Sequence, residues 1–177
     1  LVSFQKTLAM DTLVGYDHNN KITHVNSAVD YSFFKLEVGL KNQLDIPDEL
    51  WVTFDTYGDS LGEVILSTGD TIPHAAEYAL HITNYSAQLY VTRSYDTYGL
   101  WYHIYEPEQW YKSTYSQGDP WKIVRVKNNY FYEDVQYIGN LKVNQDFQNP
   151  SSKDAVTIFK DKISIRIPYS YLNMVAP

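Results

Sequence analysis

The sequence predicts an all-β protein: an antiparallel two-sheet β-sandwich, jelly-roll-like, with at most one or two short helical turns. Three observations carry this. Tyr is conspicuous, with 17 copies, and together with Val, Ile and Thr it fills short runs suited to a pleated, half-buried surface. Gly, Pro, Asn and Asp punctuate those runs, and no strand–helix–strand rhythm is present. At 177 residues the chain has the size of one such domain, so a single core over residues 1–177 is expected.

The clearest strand is YSFFKLEVGL, where strict alternation puts Phe34, Leu36, Val38 and Leu40 on one face and Lys35, Glu37 and Gly39 on the other. In KNQLDIPDE, Pro47 biases Ile46 away from helical backbone, so the run reads as a loop. LWVTFDTY (Leu50 to Tyr57) is the next strand, with Val52 and Phe54 inward. AEYALHIT (Ala76 to Thr83) follows, with Tyr78, Leu80 and Ile82 on one side. Asn84-Tyr85-Ser86 makes a tight turn into AQLYVTRSY, whose Leu89 and Val91 face the core, and the two strands form a hairpin. WKIVRVKN, DVQYIGNLKV, DAVTIFK and KISIRIPY supply further strands, the last with Ile163, Ile165 and Ile167 inward, and Lys160-Asp161-Lys162 is the turn that precedes it. Ser151 to Val156 and Tyr169 to Met174 can each hold one helical turn.

Composition excludes several functions. The formal charge of −7 is spread over the whole length and the basic residues form no run, so the phosphate-neutralising footprint of a nucleic-acid binder is missing. No apolar run approaches the ~20 residues of a membrane-spanning helix. Cysteine is absent, which removes a disulfide framework, a thiolate metal site and a cysteine nucleophile together. No nucleophile elbow, P-loop or dinucleotide fingerprint is present. The histidines, His18, His24, His74, His81 and His103, lack zinc-site spacing and read as solvated. The chain starts at Leu1 rather than Met, and one module of a longer exported chain is expected.

Two groups of residues remain as candidates for chemistry. The stretch FDTYGDSLGEVILSTGD carries Asp55, Asp59, Glu63 and Asp70 in a Gly-containing connection, and Glu77 opens the following strand. Oxygen ligands on such a loop suit a structural Ca²⁺, although the spacing is not that of an EF-hand and a solvated acidic loop is the simpler alternative. The second group is aromatic. Arg93 to Tyr115 holds eight of the chain's Tyr and Trp residues, whose flat faces can stack on a sugar while neighbouring Asp, Gln or Lys bond its hydroxyls. Tyr98, Trp101, Tyr105, Trp110, Tyr111 and Trp121 are the candidate ligand-binding rings. Alternation in GLWYHIY sends Leu100, Tyr102 and Ile104 to one face and Trp101, His103 and Tyr105 to the other, so part of this segment is core.

The run LWVTFDTYGDSLGEVILSTGDTIPHAAEYALHI, followed by YVTRSYDTYG, resembles the β-sandwich modules related to family 9 carbohydrate-binding modules and the DOMON-like domains of exported bacterial glycan-active proteins. Asp55, Asp59, Gly62, Glu63, Gly69, Asp70 and Glu77 match the acidic pattern, and Tyr95, Asp96 and Tyr98 the later segment. The resemblance spans about Tyr31 to Tyr98. It implies a jelly-roll-like sandwich, a Ca²⁺ near Asp55 and Glu77, and sugar stacking on paired Trp. The expected function is a non-catalytic, extracellular or cell-surface module that binds a polysaccharide or oligosaccharide beside neighbouring domains of its chain. The alternative is a structural or protein-interaction module whose aromatics are buried or docked on a neighbouring domain. A glycan-cleaving enzyme would need two carboxyls facing each other across a sugar.

Overall fold

The computed structural model describes residues 2–7, 10–15, 21–29, 32–45, 48–56, 62–96, 120–127, 135–145 and 155–172. Strands dominate them. β1 (Val2–Thr7), β2 (Met10–Gly15), β3 (Ile22–Val29), β4 (Phe33–Leu40), β5 (Leu50–Asp55), β6 (Glu63–Ile65), β7 (Thr71–Ala76), β8 (Tyr78–Ile82) and β9 (Ala87–Thr92) lead into a 3₁₀ turn at Arg93–Tyr95. Then come β10 (Trp121–Ile123), β11 (Val126–Lys127), β12 (Val135–Gln136), β13 (Asn140–Leu141), β14 (Val143–Asn144), β15 (Val156–Ile158), β16 (Lys162–Pro168) and a second 3₁₀ turn at Tyr169–Leu172. The all-β class is as the sequence predicts.

A seven-stranded sheet runs β10-β9-β8-β5-β1-β2, with β13 also on β9, and a five-stranded sheet runs β14-β15-β16-β4-β3. Pairing is mostly antiparallel, with two parallel contacts, β1 on β5 and β14 on β15. One buried cluster draws on both sheets: Leu36, Val38, Ile163, Ile165 and Ile167 from the five-stranded sheet, and Val52, Phe54, Leu80, Ile82, Leu89 and Val91 from the seven-stranded one. Phe34 meets Phe54 edge-to-face at 5.5 Å. Each such side chain taken out of water contributes about 1.5–3 kcal/mol, and these are the residues that alternation assigned inward.

The other face of the seven-stranded sheet carries a second, smaller cluster. Trp51, Ala79 and Trp121 are roofed there by Leu66, Ile72 and Ala76 of the β6–β7 hairpin. The sequence reading took this stretch for a plain connecting loop. Gly69 at φ 90° makes its turn, the region that only glycine enters without cost, while Gly69 N donates to Leu66 O and Leu66 N to Asp70 O.

One seam in the large sheet positions the site described next. β10 and β13 lie end to end along the same edge of β9, pairing with Tyr90–Thr92 and with Ala87 and Gln88. Leu89 stands at the junction. Its N–H donates to Gly139 O, its carbonyl accepts from Val124 N, and Gly139 N donates to Val124 O. The chain leaves the edge after Val124, forms β11 paired with β12, and returns at Gly139. WKIVRVKN is therefore two strands rather than one. The C-terminal turn expected from Tyr169 is present to Leu172; of Ser151 to Val156, residues 151–154 lie outside the described residues and Val156 opens β15.

Candidate functional site

The end of the large sheet where β5 and β9 finish and β8 and β10 begin gathers four of the buried polar side chains among the described residues: Asp55, Glu77, Thr92 and Asp96. Asp55 ends β5 and Glu77 directly precedes β8, next to the last pair Phe54↔Tyr78, and both are buried, at 3% and 0% exposure. Thr56 N and Thr56 Oγ1 donate to Glu77 Oε2 at 2.5 and 3.0 Å, so this carboxylate clamps the chain as it leaves β5. Glu77 N donates to Phe54 O and Thr92 N to Glu77 O. Both side-chain bonds fall on one carboxylate oxygen, Oε2, and a buried carboxylate needs such donors or a cation to offset its desolvation.

Beside it, the 3₁₀ turn after β9 aims Asp96 at Arg125, which sits in the break between β10 and β11. Arg125 Nη2 donates to Asp96 Oδ2 at 2.7 Å, with side-chain exposures of 11% and 2%. Charge-assisted bonds of this length are about twice as strong as neutral ones. The pair forms part of the wall of a cleft with Tyr95, Val126, Ser170 and Tyr171 at its mouth and Tyr78, Val91 and Val124 beneath. Its free volume is about 40 Å³, enough for one or two water-sized groups and too small for a sugar ring.

Of the expected metal ligands, Asp55 and Glu77 lie at this sheet end, and Glu63 and Asp70 lie on the β6–β7 hairpin. Asp59 lies outside the described residues. Asp70 is exposed on the β6–β7 turn and accepts from Thr68 Oγ1 at 2.8 Å. Glu63 pairs across to Ala76 at the other end of that hairpin, and its partial burial raises its pKa above the ordinary 4.5. His74 is half-buried on β7 rather than solvated, and burial lowers its pKa against the opposing pull of the Asp55 charge. Among the described residues no three His, Asp or Glu side chains gather as a metal cage. Gly69 makes the β6–β7 turn, Asp70 accepts its hydroxyl contact and Glu77 holds the strand end through Thr56.

The aromatic candidates divide as follows. Tyr98, Trp101, Tyr105, Trp110 and Tyr111 lie outside the described residues. Trp121, expected on the ligand face, is instead a core residue. It is 3% exposed and packs under the β6–β7 hairpin, and its indole N–H donates to Ile65 O at 2.8 Å. Alternation could not reveal this, because the hairpin covering the ring was itself read as a loop. Trp51 and His81 were also not foreseen as partners: their rings stack at 4.2 Å and 10°, and Tyr90 follows Trp51 at 6.2 Å. Glu49 Oε2 accepts from Trp51 Nε1 at 3.3 Å and meets His81 Nε2 at 3.1 Å. Rings stacked face to face across neighbouring strands cover one another's faces, so this row is no platform for a sugar. Arg125, Ser170 and Tyr171 escaped sequence reasoning; the one available signal was an arginine inside the apolar run WKIVRV.

No helix among the described residues is long and apolar enough to cross a membrane. Comparison with models of protein families, with curated proteins and with solved structures finds no match to this chain.

Proposed function

We propose that this chain is a non-catalytic carbohydrate-binding module, extracellular or cell-surface in an exported bacterial protein, that binds a polysaccharide or oligosaccharide at the β5/β9 end of its larger sheet. The observation that carries the reading is the cleft there, which an Asp–Arg pair lines together with two half-buried tyrosines, Tyr95 and Tyr171. Aromatic rings beside a few convergent polar groups are what a sugar needs: apolar C–H faces on one side, hydroxyls on the other. By chain connectivity the aromatic-rich segment 97–119 joins Asp96 of that cleft to Pro120 and β10. A jelly-roll sandwich is the finer fold proposed with it, supported by the core cluster to which both sheets contribute.

On this reading Trp110→Ala and Trp101→Ala each weaken retention on a glycan roughly thirtyfold, the size of a binding hot spot of about 2 kcal/mol, with the melting temperature held. Unchanged retention of both variants across a broad panel of soluble and insoluble glycans would end it. A structural Ca²⁺ belongs to the same proposal, with Asp55 and Glu77 as the carboxylates that would hold it. The fit is partial, since Ca²⁺ takes six to eight oxygens and Glu77 Oε2 already accepts from Thr56. Chelation by EDTA is then expected to lower the melting temperature, and added Ca²⁺ to restore it by mass action; an unmoved transition removes the ion.

The second reading, a structural or protein-interaction module, is favoured by one observation: Trp51 and Trp121, two of the four tryptophans, are buried in the core. It expects the remaining rings to be covered by a neighbouring domain, so that glycan retention is nil and limited proteolysis of the longer chain leaves the two domains associated.

A further inference from the structure

The edge of an open sheet is a row of N–H and C=O groups that will pair with any extended chain that reaches it. Among the described residues, all edges but one are short or carry a residue that works against such pairing. β2 ends the large sheet with Asp11 among its six residues, and β10 and β13 at the other end are three and two residues long. β14, at one end of the five-stranded sheet, has two residues, as have β11 and β12. On the hairpin, β6 is three residues with Glu63, and β7 contains Pro73, which cannot donate to a ladder. β3 is the exception. It ends the five-stranded sheet opposite β14 and runs for eight residues, ITHVNSAV, without Asp, Glu, Lys, Arg or Pro. Its one irregularity is the register shift between Ile22 and His24; from His24↔Gly39 to Val29↔Phe34 the pairing on β4 is continuous. Thr23, His24, Asn26, Ser27 and Ala28 are exposed, and among the described residues no strand pairs with the outer edge. Ser27 faces solvent although its partner on β4, Leu36, is core, so the edge is open on both of its faces.

Charge selects the occupant. The chain carries −7 overall, yet β3 has no acidic side chain, no lysine and no arginine, so an acidic or basic peptide finds no complement along it. A second copy of β3 does. In an antiparallel self-pairing, no register over Thr23–Val29 sets two carboxylates or two ammonium groups opposite one another, and small polar and β-branched side chains meet their own kind. A two-fold axis makes the contact isologous and uses up the open edge of both copies, so growth stops at two. We propose that β3 is a self-association edge through which two copies of this chain join their five-stranded sheets into one of ten strands, with β3 against β3 at the centre and β14 at either end. Ten strands is within the reach of a twisted open sheet. This edge stands apart from the cleft and from the glycan-binding reading.

Analytical ultracentrifugation of the whole chain tests it. The mass should rise from one chain to two, and no further, with a Kd in the micromolar range expected of a small edge contact. Salt should tighten the pair, because the −7 on each copy repels through solvent and is screened, whereas the edge itself is neutral. Asn26→Lys adds the residue that natural edges use against pairing. Within the monomer it stands opposite Glu37 of β4, a compatible neighbour; in the dimer it adds an ammonium from each copy to the shared edge and should weaken the pair at least tenfold. Thr71→Lys, at the exposed start of β7, should leave it unchanged. The chain has no cysteine, so Cys substitutions of Thr23, His24, Val25, Asn26, Ser27 and Ala28, one at a time, locate the contact. Those beside the two-fold axis, where opposed Cα atoms lie about 4.5–5.5 Å apart, should give a disulfide-linked dimer under mild oxidation, and Thr71→Cys none. A chain that stays monomeric to about 1 mM overturns the edge. So do disulfides as ready at Thr71→Cys as in β3, a dimer weakened equally by Thr71→Lys and Asn26→Lys, a dimer that salt disrupts, or growth past two chains.

Discussion

Gly139→Ala is expected to melt roughly 6–12 °C below wild type, a loss of about 3 kcal/mol for a domain of this size. The cause is a close approach. A Cβ at this position would stand 2.3 Å from Leu89 O and 2.8 Å from Val124 N, two backbone atoms committed to each other by a hydrogen bond, in residues whose other backbone groups, Leu89 N and Val124 O, bond Gly139. Neither can rotate away as a side chain would, so the sheet edge must open at the point where β10 ends and β13 begins. Arg125 follows Val124 directly, so the same substitution should loosen the cleft. Gly69→Ala is the contrasting case: nothing lies within 4 Å of its added Cβ, and only the positive φ opposes it, which costs about 1 kcal/mol. Thermal melts of the two variants side by side test the seam; equal shifts would show that Gly139 is not a junction.

Breaking the buried ion pair should be costlier still. Asp96→Ala leaves the Arg125 guanidinium, 11% exposed, without its carboxylate, and unpairing a buried charge costs about 3–5 kcal/mol. Arg125→Met does the reverse and leaves the Asp96 carboxylate, 2% exposed, facing an apolar neighbour. With both charges removed, in Asp96→Ala/Arg125→Met, neither ion remains to be solvated, so the double variant should be more stable than the sum of the single losses by at least ~1.5 kcal/mol. Urea unfolding of the four proteins measures that coupling. Additive losses would mean that the two charges do not hold each other, and the cleft wall would lose its defining feature.

Much of the architecture was legible because it rests on alternation. In β4, β5, β8, β9 and β16 one face is buried in the shared core, and Leu36, Val38, Val52, Phe54, Leu80, Leu89, Ile163 and Ile165 point where a period of two sends them. The β6–β7 hairpin was not legible. Its run EVILSTGDTIPHAA mixes exposed Val64 and Ile65 with buried Leu66 and Ile72, and a register shift between Glu63 and Ile65 breaks the period. Missing the hairpin hid the roof over Trp121 and left Trp51 without visible company. Spacing also gave no sign of the local contacts of this stretch, Asp70 with Thr68 in a turn and Glu77 with Thr56 at a strand end.

The cleft was illegible for another reason. Asp96, Arg125 and Tyr171 are separated by 29 and 46 residues along the chain and meet only because the β10–β13 seam and the second 3₁₀ turn bring them together. Local spacing carries no trace of such a meeting. Tyr95 and Asp96 stood out in the sequence as part of a pattern; their partner Arg125 could be found only through the fold.

The most direct test is to map the bound glycan on the protein. With a glycan that retains the wild type, amide shift changes should concentrate at Tyr95, Asp96, Arg125, Val126, Ser170 and Tyr171, around the β5/β9 end of the large sheet. Changes centred instead on Asn84 and Tyr85 at the opposite end, or on the Trp51–His81–Tyr90 row, would contradict the site.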